Sequence, residues 1–276
     1  MQAVESTPTI HRTVVSDRRE PALGISVIGL TAPLLTARTR PGQFVMVVPP
    51  SGEQAATAFG IYEAQGERVS LMVFAVGARS RELADLAVGA NLDLLGPLGN
   101  GFDLDALGDE IALIAGGVGI ASLLLPAREL LRRGRRVDLL YGARTAASLV
   151  DVDRFSQCGA DVAVATDDGS QGHAGFVTDL LRARGRAFTG IAACGPSPML
   201  RAVARIAGEL EIPAQLSLEE TFACGVGACW GCVVALDRAS GQAPYFPQPQ
   251  RAEVPDFVYA RICKEGPVFW AHELRW

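Results

Sequence analysis

The segment Cys224-Gly-Val-Gly-Ala-Cys229-Trp-Gly-Cys232 places three cysteines with four and then two residues between them, and a further cysteine, Cys263, follows in the same tail. This C-x4-C-x2-C spacing with a distant fourth thiol is that of a plant-type 2Fe-2S cluster held by four thiolates. A tight loop lets three thiolates converge. Glycines at 225, 227 and 231 permit positive φ and bring backbone N–H groups close to the sulfurs, where they tune the reduction potential. A structural zinc site and ordinary buried cysteines are the competing readings. Zinc sites usually pair two C-x2-4-C elements, and only Cys263 is available for the second half; three cysteines among glycines have no packing logic.

Two cysteines lie outside this set. Cys158 sits among polar residues and reads as passive. Cys194 ends an apolar run and opens Cys194-Gly195-Pro196, which puts it where ligands of open α/β sheets bind, although a structural thiol there reads equally well. A second glycine-rich segment, Ala115-Gly116-Gly117-Val118-Gly119-Ile120-Ala121, joins a strand to a helix. Its glycines would let the backbone and the positive helix end approach a pyrophosphate. The dinucleotide fingerprint is incomplete, because Ser122 occupies the third glycine position. With Cys194-Gly195-Pro196 at a second strand end of the same region, a nucleotide site is the better reading of Gly116, Gly117 and Gly119.

The elements that must position these groups fall into three regions. From about His11 to Leu98, short Val-, Ile- and Leu-rich runs alternate with turn residues, which predicts an antiparallel barrel or sandwich. A strand is expected at Phe44 to Val48, between Pro41-Gly42 and Pro49-Pro50, and a helix near Ser80 to Leu86. From Glu110, strands IALIAGG, RVDLLYGAR, DVAVAT and GIAACG alternate with helical stretches, the signature of parallel strands joined by crossovers. After Pro213 this alternation stops. The remaining tail, with the cysteines and the Pro-rich stretch Gly241 to Pro249, is too small to be robust alone and needs a metal centre or a docking surface. The expected division is therefore 1–103, a β barrel; 104–212, an α/β parallel-sheet domain; and 213–276, a small iron-sulfur domain.

Composition narrows the function. The 276 residues are 49% hydrophobic, with 25 basic and 30 acidic side chains spread without long single-sign runs, so no footprint for nucleic acid or an anionic membrane is present. The apolar stretch from Ile111 to Ala127 contains three glycines and a proline and suits a strand, turn and helix better than a bilayer span. The first residues lack the basic and apolar regions of a secretion signal, so a cytoplasmic address and reduced thiols are expected. His11, His173 and His272 read as surface side chains, and Glu219-Glu220 as a solvated turn.

Together these motifs carry a family likeness. The chain resembles the ferredoxin reductase superfamily, and most closely the electron-transfer subunits of NAD-linked dihydroorotate dehydrogenases. The likeness runs from about residue 10 to the end. It rests on Pro41-Gly-Gln-Phe-Val-Met46, Val76-Gly77 with Glu82-Leu83-Ala84, Gly96-Pro-Leu-Gly-Asn-Gly-Phe102, the Gly116 turn, Asp168-Gly169 with Gly175-Phe-Val-Thr-Asp179, Cys194-Gly-Pro196, the cysteine loop, and Arg261-Ile-Cys-Lys-Glu-Gly-Pro-Val-Phe269. The resemblance implies FAD on the barrel, NAD on the α/β domain and a 2Fe-2S cluster in the tail, in a hetero-oligomer, a heterotetramer, with a flavin-containing dehydrogenase subunit that oxidises dihydroorotate in pyrimidine biosynthesis.

Its implied flavin contacts are Phe59, Gly60, Val76, Gly77, Arg79 and Ser80, and its nicotinamide contacts Gly116, Gly117, Gly119, Cys194, Gly195 and Pro196. The family's Arg-Pro-x-Ser motif reads Thr57-Ala58-Phe59-Gly60 here, so the arginine that would pair with the pyrophosphate is missing. Arg79 or Arg81 is the substitute this reading offers. Nicotinamide transfers a hydride and an iron-sulfur cluster one electron, so a chain using both needs a flavin between them. No acid-base pair is required. Two alternatives stay open: a reductase serving another partner, and a flavin-less cluster carrier.

Overall fold

The computed structural model describes residues 8–52, 55–238 and 256–276; the Pro-rich stretch at 241–249 lies outside them. The first region closes on itself. Strands β1 (Thr9–Ala22), β2 (Ile25–Thr31), β3 (Phe44–Val48), β4 (Thr57–Gln65), β5 (Arg68–Phe74) and β6 (Asn91–Leu98) form an antiparallel barrel in the order β1-β2-β5-β4-β3-β6, with helices α1 (Pro33–Arg38) and α2 (Ala78–Ala84) in its connections. Period-two alternation in β6 sends Leu92 and Leu94 inward to meet Val15, Ile28, Val45, Val47, Ile61 and Leu71. Closure removes both sheet edges, because β6 pairs with β1 from Thr9↔Gly96 to Val14↔Asn91. Only α2 of the two helices was expected. His11, expected at the surface, is buried, its Nε2 3.1 Å from the carbonyl oxygen of Gly96 across the closing pair; the alternation that buries it depends on which strand β1 pairs with.

The second region is β7 (Glu110–Gly116), α3 (Leu124–Arg132), β8 (Arg136–Ala143), α4 (Val152–Cys158), β9 (Asp161–Thr166), β10 (His173–Ala174), α5 (Val177–Arg184), β11 (Gly190–Cys194), α6 (Ser197–Glu209) and β12 (Ala214–Ser217). β7 and β11 are covered on both faces, which is why they read as continuous apolar runs. A 3-10 turn over Gly117–Ser122 precedes α3. Pro126 explains it: an α-helix extended N-terminally through Ser122 would set the proline ring against that residue's carbonyl, so α3 starts with Pro126 in its first turn.

The sheet order is β10-β9-β8-β7-β11-β12-β15, parallel except for β15 (Val268–Trp270), which runs antiparallel beside β12. The chain builds outward from β7 to β10 and then returns to β11 on the other side of β7. The crevice between the carboxyl ends of β7 and β11 is therefore a topological switch point.

Two strands from beyond residue 212, β12 and β15, complete this sheet. The rest of the tail forms a hairpin-like pair, β13 (Val233–Asp237) with β14 (Phe257–Arg261). The tail does not stand alone. Its Phe222, Leu236, Val258, Ile262 and Phe269 share one buried cluster with Phe44, Met46 and Leu98 of the barrel and Ile114 and Ile191 of the sheet. A backbone bond from Asn100 to Gly266 ties it to the barrel, and the pairing of β12 with β11 from Ile191↔Ala214 to Cys194↔Ser217 ties it to the sheet. Docking of this kind supplies the apolar burial that some 60 residues cannot provide among themselves.

Candidate functional site

The cysteine loop follows β12 and is bent by left-handed residues at Gly225, Gly227 and Trp230, whose φ values are 68°, 81° and 58°. These bends turn amide groups inward. Ala228 and Cys229 direct their N–H groups at Cys224 Sγ over 3.3 and 3.4 Å, and Gly231 directs its own at Cys229 Sγ over 3.4 Å. Cys263, just beyond β14, brings its N–H to 3.5 Å from Cys232 Sγ. The thiols thus meet as two pairs, Cys224 with Cys229 and Cys232 with Cys263, and Cys224 is close enough to act electrostatically on Cys263.

The pairs differ in environment. Burial works to raise the Cys224 thiol, but the N–H groups of Cys229, Val226 and Ala228, with the Cys229 thiol, lower it to about 6. Burial, and then the shared proton and charge of Cys232, push Cys263 up to about 12. Among the described residues no three His, Cys, Asp or Glu side chains are grouped as a single metal ion would require. Two thiol pairs with amides aimed at the sulfurs fit a two-iron cluster, which takes two ligands on each iron.

Arg261 braces this loop from behind. Its guanidinium is almost wholly buried, pairs with both carboxylate oxygens of Glu265, donates to the Gly227 carbonyl at 2.6 Å and lies 4.7 Å from the centre of the Trp230 ring. It joins the segment carrying Cys263 to the loop carrying the other three thiols.

A cleft of about 540 Å3 opens between the barrel and the sheet. On the barrel side Thr57, Ala58, Phe59 and Gly60 from β4, and Val76, Gly77, Arg79 and Ser80 from the start of α2, all line it. Arg81 is exposed and is not part of the lining. Of the two arginines offered as substitutes, only Arg79 faces this space. Ser80 ties the start of α2, its Oγ accepting from the Gly77 N–H at 3.0 Å.

On the sheet side the two glycine turns stand against each other, as the pairing Ala115↔Cys194 dictates. A Cβ on Gly195 would come within 3.0 Å of Gly116 Cα, and one on Gly116 within 2.9 Å of Pro196. Gly119 backs directly onto the Cys194–Gly195 peptide. Gly117, at φ +50°, has nothing within 4 Å of a Cβ position and faces open space. Gly116, Gly117, Gly119, Cys194, Gly195 and Pro196 are thus brought together at the switch point, and three of the four glycines serve close packing of the turns; the cleft itself is lined beside them by Val118, Ala121 and Ser122 and by none of these six.

The cleft contains residues that motif reading did not select. Ser122, in the third glycine position, lines the cleft and approaches Gly60, and with Ser217 it favours the charged form of the Cys194 thiol. Glu219 and Glu220 are exposed, as expected of a solvated turn, but the Glu219 carboxylate also lines the cleft and accepts from Cys194 Sγ at 3.5 Å, and partial desolvation raises its pKa. Cys194 itself is fully buried, and burial followed by the Glu219 charge holds its pKa far above that of a free thiol. The adjacent Glu219-Glu220 pair carried no spacing that could have shown this. Asp138 lies early in β8, away from the glycine turns, and pairs with Arg184 at 3.6 Å. Cys158 donates to the Phe155 carbonyl within its own helix.

One wall is common to cleft and cysteine loop. Phe44 of β3 and Phe222 line the cleft with ring centres 5.0 Å apart, and Phe222 lies two residues before Cys224. Met46, on the same strand, packs against Gly225 inside the loop.

A closed antiparallel barrel, a parallel sheet with its switch point turned towards it, and a cleft between them define a ferredoxin-reductase-type oxidoreductase. The model of the oxidoreductase NAD-binding domain matches residues 113–205. A chain of the NADH-dependent reduced ferredoxin-NADP oxidoreductase superposes with a TM-score of 0.80 at 28% identity, covering 96% of this chain and 90% of that one. The ferredoxin reductase of carbazole 1,9a-dioxygenase shares the fold at a TM-score of 0.66 and 22% identity, over 75% of this chain and 68% of its own.

Two sequence relatives are more specific. The probable dihydroorotate dehydrogenase B (NAD(+)) electron transfer subunit of Methanothermobacter thermautotrophicus is 37% identical over 85% of this chain and 79% of its own length. The corresponding subunit of Caldanaerobacter subterraneus subsp. tengcongensis is 31% identical over 95% of this chain and 96% of its own. The chain belongs to the family of dihydroorotate dehydrogenase B electron transfer subunits. Among the described residues no helix is long and apolar enough to cross a membrane.

Proposed function

We propose that this chain is the electron transfer subunit of an NAD+-linked dihydroorotate dehydrogenase of the cytoplasm. It takes electrons from the flavin of a partner catalytic subunit in a hetero-oligomer and delivers them to NAD+. The observation that carries the proposal is the shared wall of Phe44, Met46 and Phe222, which sets the cysteine loop directly beside the cleft.

In this reading Cys224, Cys229, Cys232 and Cys263 hold a 2Fe-2S cluster. The N–H groups of Ala228, Cys229 and Gly231 favour charged sulfur and so set the electron affinity of the site. FAD occupies the cleft against Phe59, Gly60, Val76, Gly77 and Ser80, with Arg79 supplying the pyrophosphate charge that Thr57-Ala58-Phe59-Gly60 lacks. When bound there, flavin supplies the conversion between single electrons and hydride. Gly116, Gly117 and Gly119, facing Cys194, Gly195 and Pro196, form the bed for NAD at the switch point. Cys194, held as a neutral thiol by burial and Glu219, offers a compact and uncharged floor. The functional division is 1–103 for flavin, 104–212 for nicotinamide and 213–276 for the cluster, with β12 and β15 tying the last unit into the sheet.

The test is anaerobic purification with the native partner, followed by iron, sulfide and flavin analysis, visible spectroscopy and NADH titration. Two irons and one flavin per chain, both bleached by NADH, and copurification with a dihydroorotate-oxidising subunit are expected. Cluster bands without flavin would reduce the chain to a carrier; a different copurifying dehydrogenase would reassign the substrate.

A further inference from the structure

Outside the cleft, the two large units are joined by a compact charged cluster. Asp151, at the start of α4, receives Arg19 of β1 on both carboxylate oxygens, one at 2.7 Å, and the Tyr62 hydroxyl of β4 at 2.6 Å. Glu63, the next residue of β4, receives Arg128 of α3 at 2.5 Å and Arg154 of α4 at 2.7 Å. Arg154 also lies 5.8 Å from the centre of the Tyr62 ring, closing the set. Both carboxylates are sequestered, with side-chain accessibilities of 6% for Asp151 and 5% for Glu63, and every one of these bonds crosses from barrel to nucleotide domain.

Three features set this cluster apart from an ordinary surface patch of ion pairs. Asp151 adopts φ 54°, a left-handed backbone that is uncommon outside glycine and that aspartate tolerates better than most residues. Glu63 Oε2 is buried without a hydrogen-bond partner among the described residues, an arrangement tolerated only because two guanidiniums share its other oxygen. Finally, Tyr62 and Glu63 follow Thr57 to Gly60 on the strand that lines the cleft, with only Ile61 between, and Gly60 lies against Ser122 of the glycine turn. Whatever fixes these residues against α3 and α4 also fixes the flavin wall against the nicotinamide wall.

We propose that Arg19, Tyr62, Glu63, Arg128, Asp151 and Arg154 are positioning residues that bolt strand β4 to the nucleotide domain and thereby hold the flavin and nicotinamide rings at transfer distance. The inference rests on the electron-transfer reading above, because it needs both rings in the cleft. None of the six side chains lines the cleft, so their effect passes through β4. Loss of one clamp bond is expected to slow the transfer step and leave nucleotide affinity nearly intact, since hydride transfer demands ångström-level alignment and binding does not.

The test uses the complete complex carrying Tyr62→Phe, which removes a single hydroxyl, and Asp151→Asn. Stopped-flow reduction of the bound flavin by NADH and by 4-deuterated NADH separates the saturating rate from the half-saturating concentration. Hydrogen exchange of residues 57–65 and 151–158 reads the clamp in protein without nucleotide. A fall of about tenfold or more in the saturating rate is expected, with a larger isotope effect, an unchanged half-saturating concentration, faster exchange in both segments and normal dithionite reduction. Wild-type rates and exchange in Tyr62→Phe overturn the inference, as does a loss of rate that only tracks lost flavin. Failure of NADH to reduce the flavin of the wild-type complex would instead overturn the functional reading.

Discussion

Gly119→Ala separates packing from backbone conformation in the nucleotide turn. An alanine Cβ at this position would stand 2.7 Å from Gly195 N and closer still to the Cys194 carbonyl. Non-bonded heavy atoms settle at about 3.5 Å or more, so the two turns must part by roughly 1 Å. Neither can yield cheaply, because both obstructing groups are backbone at the end of a strand paired to β7 from Gly190↔Ile111 to Cys194↔Ala115. Overpacking costs about 1–3 kcal/mol, and a rigid backbone neighbour puts this case near 3, a fall in Tm of roughly 6 °C at about 2 °C per kcal/mol for a chain of this size.

The informative control is Gly117→Ala. Gly117 has the left-handed backbone, φ +50°, but open space around it, whereas Gly119 is outside the set of positive-φ glycines. Gly117→Ala should therefore cost only about 1 kcal/mol of left-handed strain and leave the turns in place. A 1 Å displacement at a reacting centre is worth up to about 100-fold in rate, so NADH-driven flavin reduction should collapse in Gly119→Ala and persist in Gly117→Ala. Thermal unfolding followed by flavin fluorescence, with stopped-flow kinetics on the same samples, measures both. If Gly117→Ala proves the more damaging, the turn is governed by conformation and the packing argument fails.

Three further outcomes are expected. Arg79→Ala should weaken FAD retention by about 1.5–3 kcal/mol, the value of a hydrogen bond to a charged group, while Arg81→Ala leaves it unchanged; equal losses in equilibrium dialysis would remove Arg79 from the site. Arg261→Met strands Glu265 and frees the Gly227 carbonyl, so a loss of about 3 kcal/mol, the lower end for breaking a buried pair, should accompany reduced iron content, with Arg261→Lys intermediate; full iron occupancy at unchanged Tm would contradict it. Burial alone would raise the Asp151 pKa, but Arg19 and then Tyr62 outweigh it and hold it low. Its contribution to stability is then complete above the unfolded carboxylate value of about 4 and is lost as pH falls through the lower folded value. Asp151→Asn should flatten that acid limb in pH-dependent Tm scans, and an unchanged limb would place the sensitivity elsewhere.

Much of the site was legible from local pattern. The spacing of Cys224, Cys229 and Cys232 dictates a tight loop whatever surrounds it, and uninterrupted apolar runs such as Ile111–Ala115 and Ile191–Cys194 announce strands buried on both faces. The strand-to-turn junctions at Gly116 and Gly195 follow from those runs. Less was readable where an element is short or its polar residues are spent on partners far along the chain. β12 is four residues long, β15 three, too brief to show a period; β12 is a strand because β11 and β15 flank it, and β15 because β12 is beside it. α4 carries Asp153 and Arg154 on a single turn and its polar sequence reads equally as helix or loop; Arg154 is explained by Glu63, 91 positions away.

Local residue pattern carried the chemistry: four thiols at cluster spacing, glycines at two strand ends, and arginines at 79 and 81 as replacements for the one missing from Thr57-Ala58-Phe59-Gly60. These are properties of residue type and short-range spacing, which survive in any compact arrangement. Packing across the whole chain set which thiols pair, that Arg79 and not Arg81 faces the cleft, that Glu219 reaches Cys194, and that Asp151 and Glu63 bridge two domains. Those facts depend on barrel closure and sheet order, which bring distant residues within hydrogen-bond reach through the summed packing of the whole chain and through no local preference of their own.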